Sequence, residues 1–150
     1  MLFCCGADLA ERALATARRR NLTIVTAESC TAGKLSALLS EAPGAGERLH
    51  GSFVTYTKAN KVKALGVDAG LLKAKGAVCR EVALAMAEGA LHRSPADVAV
   101  AITGVAGPDP DEGQGDQVCR DQGRVIPRES GEYSVTPVPA NGCRLRITPA

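Results

Sequence analysis

The spacing of apolar and polar positions changes several times along the chain, and each change marks an element. Ala10, Ala13, Leu14 and Ala17 recur at helical spacing and Arg18-Arg19-Arg20 closes the run, which predicts an amphipathic helix over residues 7–20. Leu22-Thr23-Ile24-Val25 is β-branched and predicts a strand, and Lys34 to Leu39 returns to helical spacing. Between them Thr26-Ala27-Glu28-Ser29-Cys30-Thr31-Ala32-Gly33 reads as a tight turn leading to a helix N-terminus. Pro43, Gly44 and Gly46 end that helix, and Leu49 to Thr57 reads as a strand on Phe53, Val54 and Tyr56. Thr57 to Gly66 predicts a short helix stopped by glycine, and Gly66 to Gly76 a turn. Cys79 to Leu91 predicts a long helix with Val82, Ala85, Met86 and Gly89 on one face. Asp97 to Thr103 is almost continuously apolar, as suits a strand buried on both sides, and ends in Thr103-Gly104-Val105-Ala106-Gly107-Pro108.

Strands alternating with helices point to an α/β sandwich, in which ligands bind outside the carboxyl ends of the strands. Three such ends carry chemistry: Ser29, Tyr56 with Lys61, and Thr103-Gly104. A hydroxyl at a strand-to-helix junction, among backbone N–H groups that favour an anion or a developing oxyanion, is a candidate nucleophile. Each residue also has a plainer reading. Ser29 or Thr31 serves as a helix cap, Tyr56 as a half-buried strand aromatic, Lys61 as a solvated helix lysine, and Thr103-Gly104 as a turn.

Composition narrows the class. The 150 residues suit one domain, and 45% hydrophobic content with 3% aromatics requires an aliphatic core. A net charge of +2, whose one dense basic run suits a helix C-terminus, argues against nucleic acid as a partner. The cysteines at 4, 5, 30, 79, 119 and 143 form no zinc-type pairs, so no metal site and a reducing, cytoplasmic setting are expected. The segment Met1-Leu2-Phe3-Cys4-Cys5 lacks the length and basic flank of a signal peptide, and no run approaches a membrane span.

The pattern breaks at Pro108. The 43 residues from there to Ala150 hold six of the eight prolines, no lysine and 12 hydrophobic residues, so residues 114–150 are expected to form a largely irregular tail. Only Arg124-Val125-Ile126 and Tyr133-Ser134-Val135 hint at extended structure.

Four stretches in order, TAESCTAG, GSFVTYTKANKVKALGV, KGAVCREVALAMAEGAL and DVAVAITGVAGPDPDEG, resemble the C-terminal domain of competence/damage-inducible protein CinA, a family that includes stand-alone nicotinamide-nucleotide amidohydrolases. The resemblance covers residues 7–113 and assigns 1–113 to one such domain, expected to be incomplete. It implies a three-layer α/β/α sandwich with a mixed, mostly parallel sheet, a homodimer, and no cofactor. The activity it implies is hydrolysis of the carboxamide of nicotinamide mononucleotide, a small-molecule nucleotide, to nicotinate mononucleotide and ammonia. Carried over, it makes Ser29 the nucleophile, Lys61 its general base and Tyr56 an aid to proton transfer or orientation. Thr103, Gly104 and Gly107 would line the substrate site, and Thr31 and Gly33 would face phosphate or ribose. Read as a residue, Glu28 either fixes the loop by accepting backbone N–H bonds or acts electrostatically on Lys61, and the first is expected.

The chain departs from the family at Ala32, where a second glycine is common, at Cys79, where serine is usual, and throughout 114–150. That tail lacks the expected Pro-Val-Gly strand, basic strand and final helix, and a frameshift in a GC-rich gene would give its composition. It leaves an alternative open: a truncated or inactive domain that only binds nucleotide or oligomerises.

Overall fold

The computed structural model describes residues 3–104, 122–127, 133–135 and 147–149, with side chains for 7–104. Helix α1 (Phe3–Arg19) leads into β1 (Ile24–Glu28), α2 (Lys34–Ser40), α3 (Ala45–Arg48) and β2 (Leu49–Val54). Next come α4 (Lys58–Asn60), a π-helical turn (Lys61–Leu65), α5 (Ala69–Lys75), α6 (Arg80–His92) and β3 (Val98–Thr103). Strand β1 lies between β2 and β3 and runs parallel to both. Strands β4 (Gln122–Pro127), β5 (Tyr133–Val135) and β6 (Ile147–Pro149) extend the sheet by antiparallel pairing, giving the order β2-β1-β3-β4-β5-β6. The sheet is mixed, and its parallel part is β2-β1-β3.

Period-2 alternation assigns the strand residues to two cores, because successive side chains leave a strand on opposite sides. Val25, Ala27, Ala99 and Ala101, with Phe53 beside them, pack beneath Val82, Met86, Ala87 and Ala90 of α6 and Leu72 of α5. Ile24 and Val100 pack on the other side against Ala10, Leu14 and Ala17 of α1 and Leu39 of α2. Helices on both faces make three layers, and the alanine face expected of the first helix is the buried one.

Close approach decides one junction. A Cβ on Gly89 would lie 2.1 Å from the Leu65 carbonyl oxygen, so only glycine lets α6 rest on the end of the π turn.

Several boundaries differ from those expected. Strand β1 continues through Glu28 where the sequence suggested a turn from Thr26, because Thr26 and Glu28 are fully buried and hydrogen-bonded. The stretch 66–76, expected as a turn, contains α5, capped by Asp68, whose Oδ1 accepts the Leu71 N–H at 2.7 Å. The loop after α2 contains the four-residue α3. Within the stretch read as largely irregular, the structure describes the three short strands β4–β6, and two of them contain the segments singled out as extended. The rest of 114–150 lies outside the described residues.

Candidate active site

The alternation that builds the two cores also divides the chemistry at the end of β1. Thr26 and Glu28 point to the α2 side, while Ser29 continues the row of Val25 and Ala27 towards α6.

On the α2 side Glu28 supplies what the helix itself lacks. The N-cap of α2 is Gly33, at φ 95°, which has no side chain to accept the first N–H groups. The buried Glu28 carboxylate takes their place. Its Oε2 accepts from Gly33 N–H (3.0 Å), Leu35 N–H (3.0 Å) and Thr31 Oγ1 (2.7 Å), and its Oε1 from Ser36 N–H (2.8 Å) and Thr26 Oγ1 (3.2 Å). Ser52 Oγ lies 2.7 Å from Thr26 Oγ1 and 3.5 Å from the same Oε1. One carboxylate thus clamps loop, helix and neighbouring strand, which is charge-assisted hydrogen bonding at a helix N-terminus.

On the α6 side Lys61 meets Ser29. Lys61 is fully buried, Ser29 is 6% exposed, and Lys61 Nζ stands 2.8 Å from Ser29 Oγ. The same nitrogen donates to the Thr55 carbonyl at 2.8 Å and to the Tyr56 carbonyl at 3.3 Å. As an ammonium, Lys61 donates to all three oxygens. As a free amine it has two N–H donors for the two carbonyls and a lone pair for the Ser29 Oγ–H, which is the arrangement of a base and its nucleophile.

The π turn that carries Lys61 is held from outside. Arg93 donates through Nη1 to the Leu65 carbonyl at 2.8 Å, beside the contact with Gly89. π-helical turns recur at functional sites, where the extra residue re-aims a side chain.

The structure therefore brings Ser29 and Lys61 together across 32 positions of sequence. Tyr56 adjoins them through its carbonyl, while its side chain is at the surface, the residue being 61% exposed. Glu28 holds the loop, and Thr31 and Gly33 are tied to its carboxylate. Thr103 is fully buried and donates from Oγ1 to the Ala77 carbonyl at 2.8 Å, which ties the α5–α6 connection to the end of β3. Gly104 follows it, partly exposed, and Gly107 lies outside the described residues. The N–H groups of Ser29, Ala32, Gly33, Lys34, Leu35 and Ser36 all make hydrogen bonds within the chain, so the helix N-terminus first read as an anion site is occupied by Glu28. Sequence reading passed over Thr55, Thr26 and Ser52. The available signal was hydroxyl residues at strand positions whose neighbours are buried.

Among the described residues no group of three or more His, Cys, Asp and Glu is arranged to hold a metal ion. No helix among them is long and apolar enough to cross a membrane.

Comparison with known proteins gives a consistent result. The sequence model of the CinA C-terminal domain matches residues 6–118. A CinA-like protein of Mycolicibacterium vanbaalenii is 57% identical over 86 residues, which are 57% of this chain and 20% of that protein. Another, from Mycolicibacterium paratuberculosis, is 52% identical over 101 residues, or 67% of this chain and 22% of that protein. The chain thus spans about a fifth of the length of the curated relatives it matches. Among solved structures, a competence/damage inducible protein of Agrobacterium tumefaciens superposes with a TM-score of 0.69 at 42% identity, covering 73% of this chain and 66% of that one. A competence-damaged protein (CinA) superfamily protein of Escherichia coli gives 0.71 at 33% identity, covering 81% and 76%.

Proposed function

The chain belongs to the CinA C-terminal domain family, and from that premise and the site geometry we propose that it is an amidohydrolase using a Ser-Lys pair, with nicotinamide mononucleotide as its substrate. The observation that carries the reading is the 2.8 Å contact between a buried lysine amine and a buried serine hydroxyl at the carboxyl end of a central parallel strand.

Ser29 Oγ attacks the carboxamide carbon as Lys61 Nζ takes its proton. Lys61 does so in its amine form, its two N–H groups held by the Thr55 and Tyr56 carbonyls and its lone pair turned to Ser29 Oγ. The tetrahedral oxyanion needs donors, and the Thr31 N–H, which makes no hydrogen bond among the described residues, supplies one. The C–N bond then breaks, Lys61 returns its proton to the departing nitrogen, and ammonia leaves. Water attacks the resulting Ser29 ester, its proton passes to Lys61 and on to Ser29 Oγ, and nicotinate mononucleotide is released. The scheme draws on no cofactor. Tyr56 serves orientation at the mouth through its exposed ring, and Gly104 allows close backbone approach to the nucleotide. A homodimer in the cytoplasm belongs to the same reading.

The composition of residues 114–150 favours a second reading, a domain that binds nucleotide or oligomerises without turnover. Ammonia release from nicotinamide mononucleotide by the purified chain separates the two. Turnover that disappears in Ser29→Ala supports the amidohydrolase, and a folded chain without turnover supports the second reading.

A further inference from the structure

The Thr55 hydroxyl takes no part in the steps proposed for Ser29 and Lys61. The residue is 1% exposed, and the hydroxyl is buried with no hydrogen-bond partner among the described residues. A buried hydroxyl left unpaired costs about 1–3 kcal/mol, and a bound water or a role in catalysis is among the reasons a folded protein keeps one.

The sheet register says where this hydroxyl stands. Val54 pairs with Glu28, and the ladder continues one step further, the Thr55 N–H donating to the Glu28 carbonyl at 2.8 Å. Thr55 therefore lies opposite Ser29, about 4.8 Å away across neighbouring strands. Two residues earlier, Phe53 and Ala27 both face the α6 core, so alternation sends the Thr55 and Ser29 side chains to that same face. On the far side of Ser29, the Ser29 N–H donates to the Ile102 carbonyl at 3.0 Å, which places Thr103 in the third position of the row. Three hydroxyls thus line the carboxyl ends of β2, β1 and β3. Ser29 is engaged by Lys61 and Thr103 by Ala77, whereas the Thr55 hydroxyl has no partner among the described residues. Its own carbonyl holds Lys61 Nζ, so its side chain hangs from the backbone that positions the base.

We infer that the Thr55 hydroxyl binds and orients the water that hydrolyses the Ser29 ester. This rests on the Ser-Lys reading. In that step the water oxygen bonds to the ester carbonyl carbon and one water proton goes to Lys61 Nζ. The bond from that carbon to Ser29 Oγ breaks, and Lys61 returns the proton to Ser29. Thr55 Oγ1 donates to or accepts from the water without changing its own covalent state, which makes it a positioning residue for one half of the reaction.

The test compares the whole chain with Thr55→Val, which keeps the shape and removes the hydroxyl, and Thr55→Ser, which keeps the hydroxyl. Nicotinamide mononucleotide turnover, acid-quenched intact mass and thermal melting are read for each. Losing the water slows ester hydrolysis alone, so Thr55→Val lowers kcat by about 10²-fold. KM falls with it, kcat/KM stays within about threefold, and the Ser29 ester accumulates in the quenched mass. Its Tm does not fall, since valine removes an unpaired polar group from the interior. Thr55→Ser restores kcat. A Thr55→Val enzyme with the parent kcat overturns the inference, as does a slowed one that accumulates no ester. Should Thr55→Val fail to fold, Thr55→Ala decides by the same readouts. A parent chain that releases no ammonia marks failure of the amidohydrolase reading itself, and this inference falls with it.

Discussion

At Glu28 one carboxylate supplies the cap that Gly33 cannot, and the position of Ser29 follows from it, because loop residues 31–36 hang from those two oxygens. Replacing one oxygen by an amide sets N–H donors against N–H donors. Glu28→Gln is expected to lose about 2–3 kcal/mol in urea unfolding and to lose activity through the displaced serine; an unchanged unfolding midpoint would remove the clamp from the account. Ala32 has the opposite sign. It sits at φ 50°, in the left-handed region that costs a residue with a Cβ about 1–2 kcal/mol. Ala32→Gly should therefore raise Tm by a few degrees, and a lowered Tm would show that chain entropy outweighs the relieved strain. The loop-fixing role of Glu28 was legible in the sequence, and the setting of Lys61 was not. Lys61 stands in a polar run, Lys58-Ala59-Asn60-Lys61, that reads as solvated helix, and only the fold reveals its burial beneath Ser29.

Among the elements, the π turn and α6 act as one unit. Gly89→Ala places a methyl group against the Leu65 backbone oxygen, which no side-chain rotation relieves. A loss of about 3 kcal/mol is expected, together with a fall in activity as the turn carrying Lys61 shifts, while Glu88→Ala on the exposed side of the helix changes neither. Thermal melts and turnover of the two variants side by side give the comparison. The start of α6 is joined to the end of α5 by the half-exposed pair Lys75–Glu81. Its hydrogen bond from Lys75 holds the Glu81 carboxyl down at about 2 and raises Lys75 above 10.5. A depressed carboxyl stabilises the fold above its unfolded value, and that contribution disappears as pH falls towards about 2. A raised lysine adds stability below 10.5 that is lost as pH rises through its folded value. The Tm difference between the parent and Glu81→Gln should thus be small, present at neutral pH and absent by pH 2. A constant difference would refute the pairing. Helix α5 itself was legible in principle, since Asp68 is an ordinary N-cap three residues before Leu71, but the glycines at 66, 70 and 76 made the stretch read as a turn. The long helix was readable because its apolar positions keep helical spacing, and β3 because its run is almost continuously apolar.

Across the whole molecule, alternation of strands and helices was enough to give the layered fold, and alternation within strands assigns the two cores and the two sides of the site. The order of strands and the antiparallel extension β4–β6 depend on pairings between distant segments, to which local periodicity is blind. The same holds for catalysis, since the proposed base is carried after β2 and the nucleophile after β1. The proposed chemistry depends on that pair. The most direct test is ammonia release from nicotinamide mononucleotide by the purified chain, with Ser29→Ala and Lys61→Ala at equal concentration and each checked for folding. Turnover is expected in the parent, with a loss on the order of 10³-fold or more in both variants. A folded parent with no turnover, or a Lys61→Ala enzyme as active as the parent, would contradict the proposed chemistry.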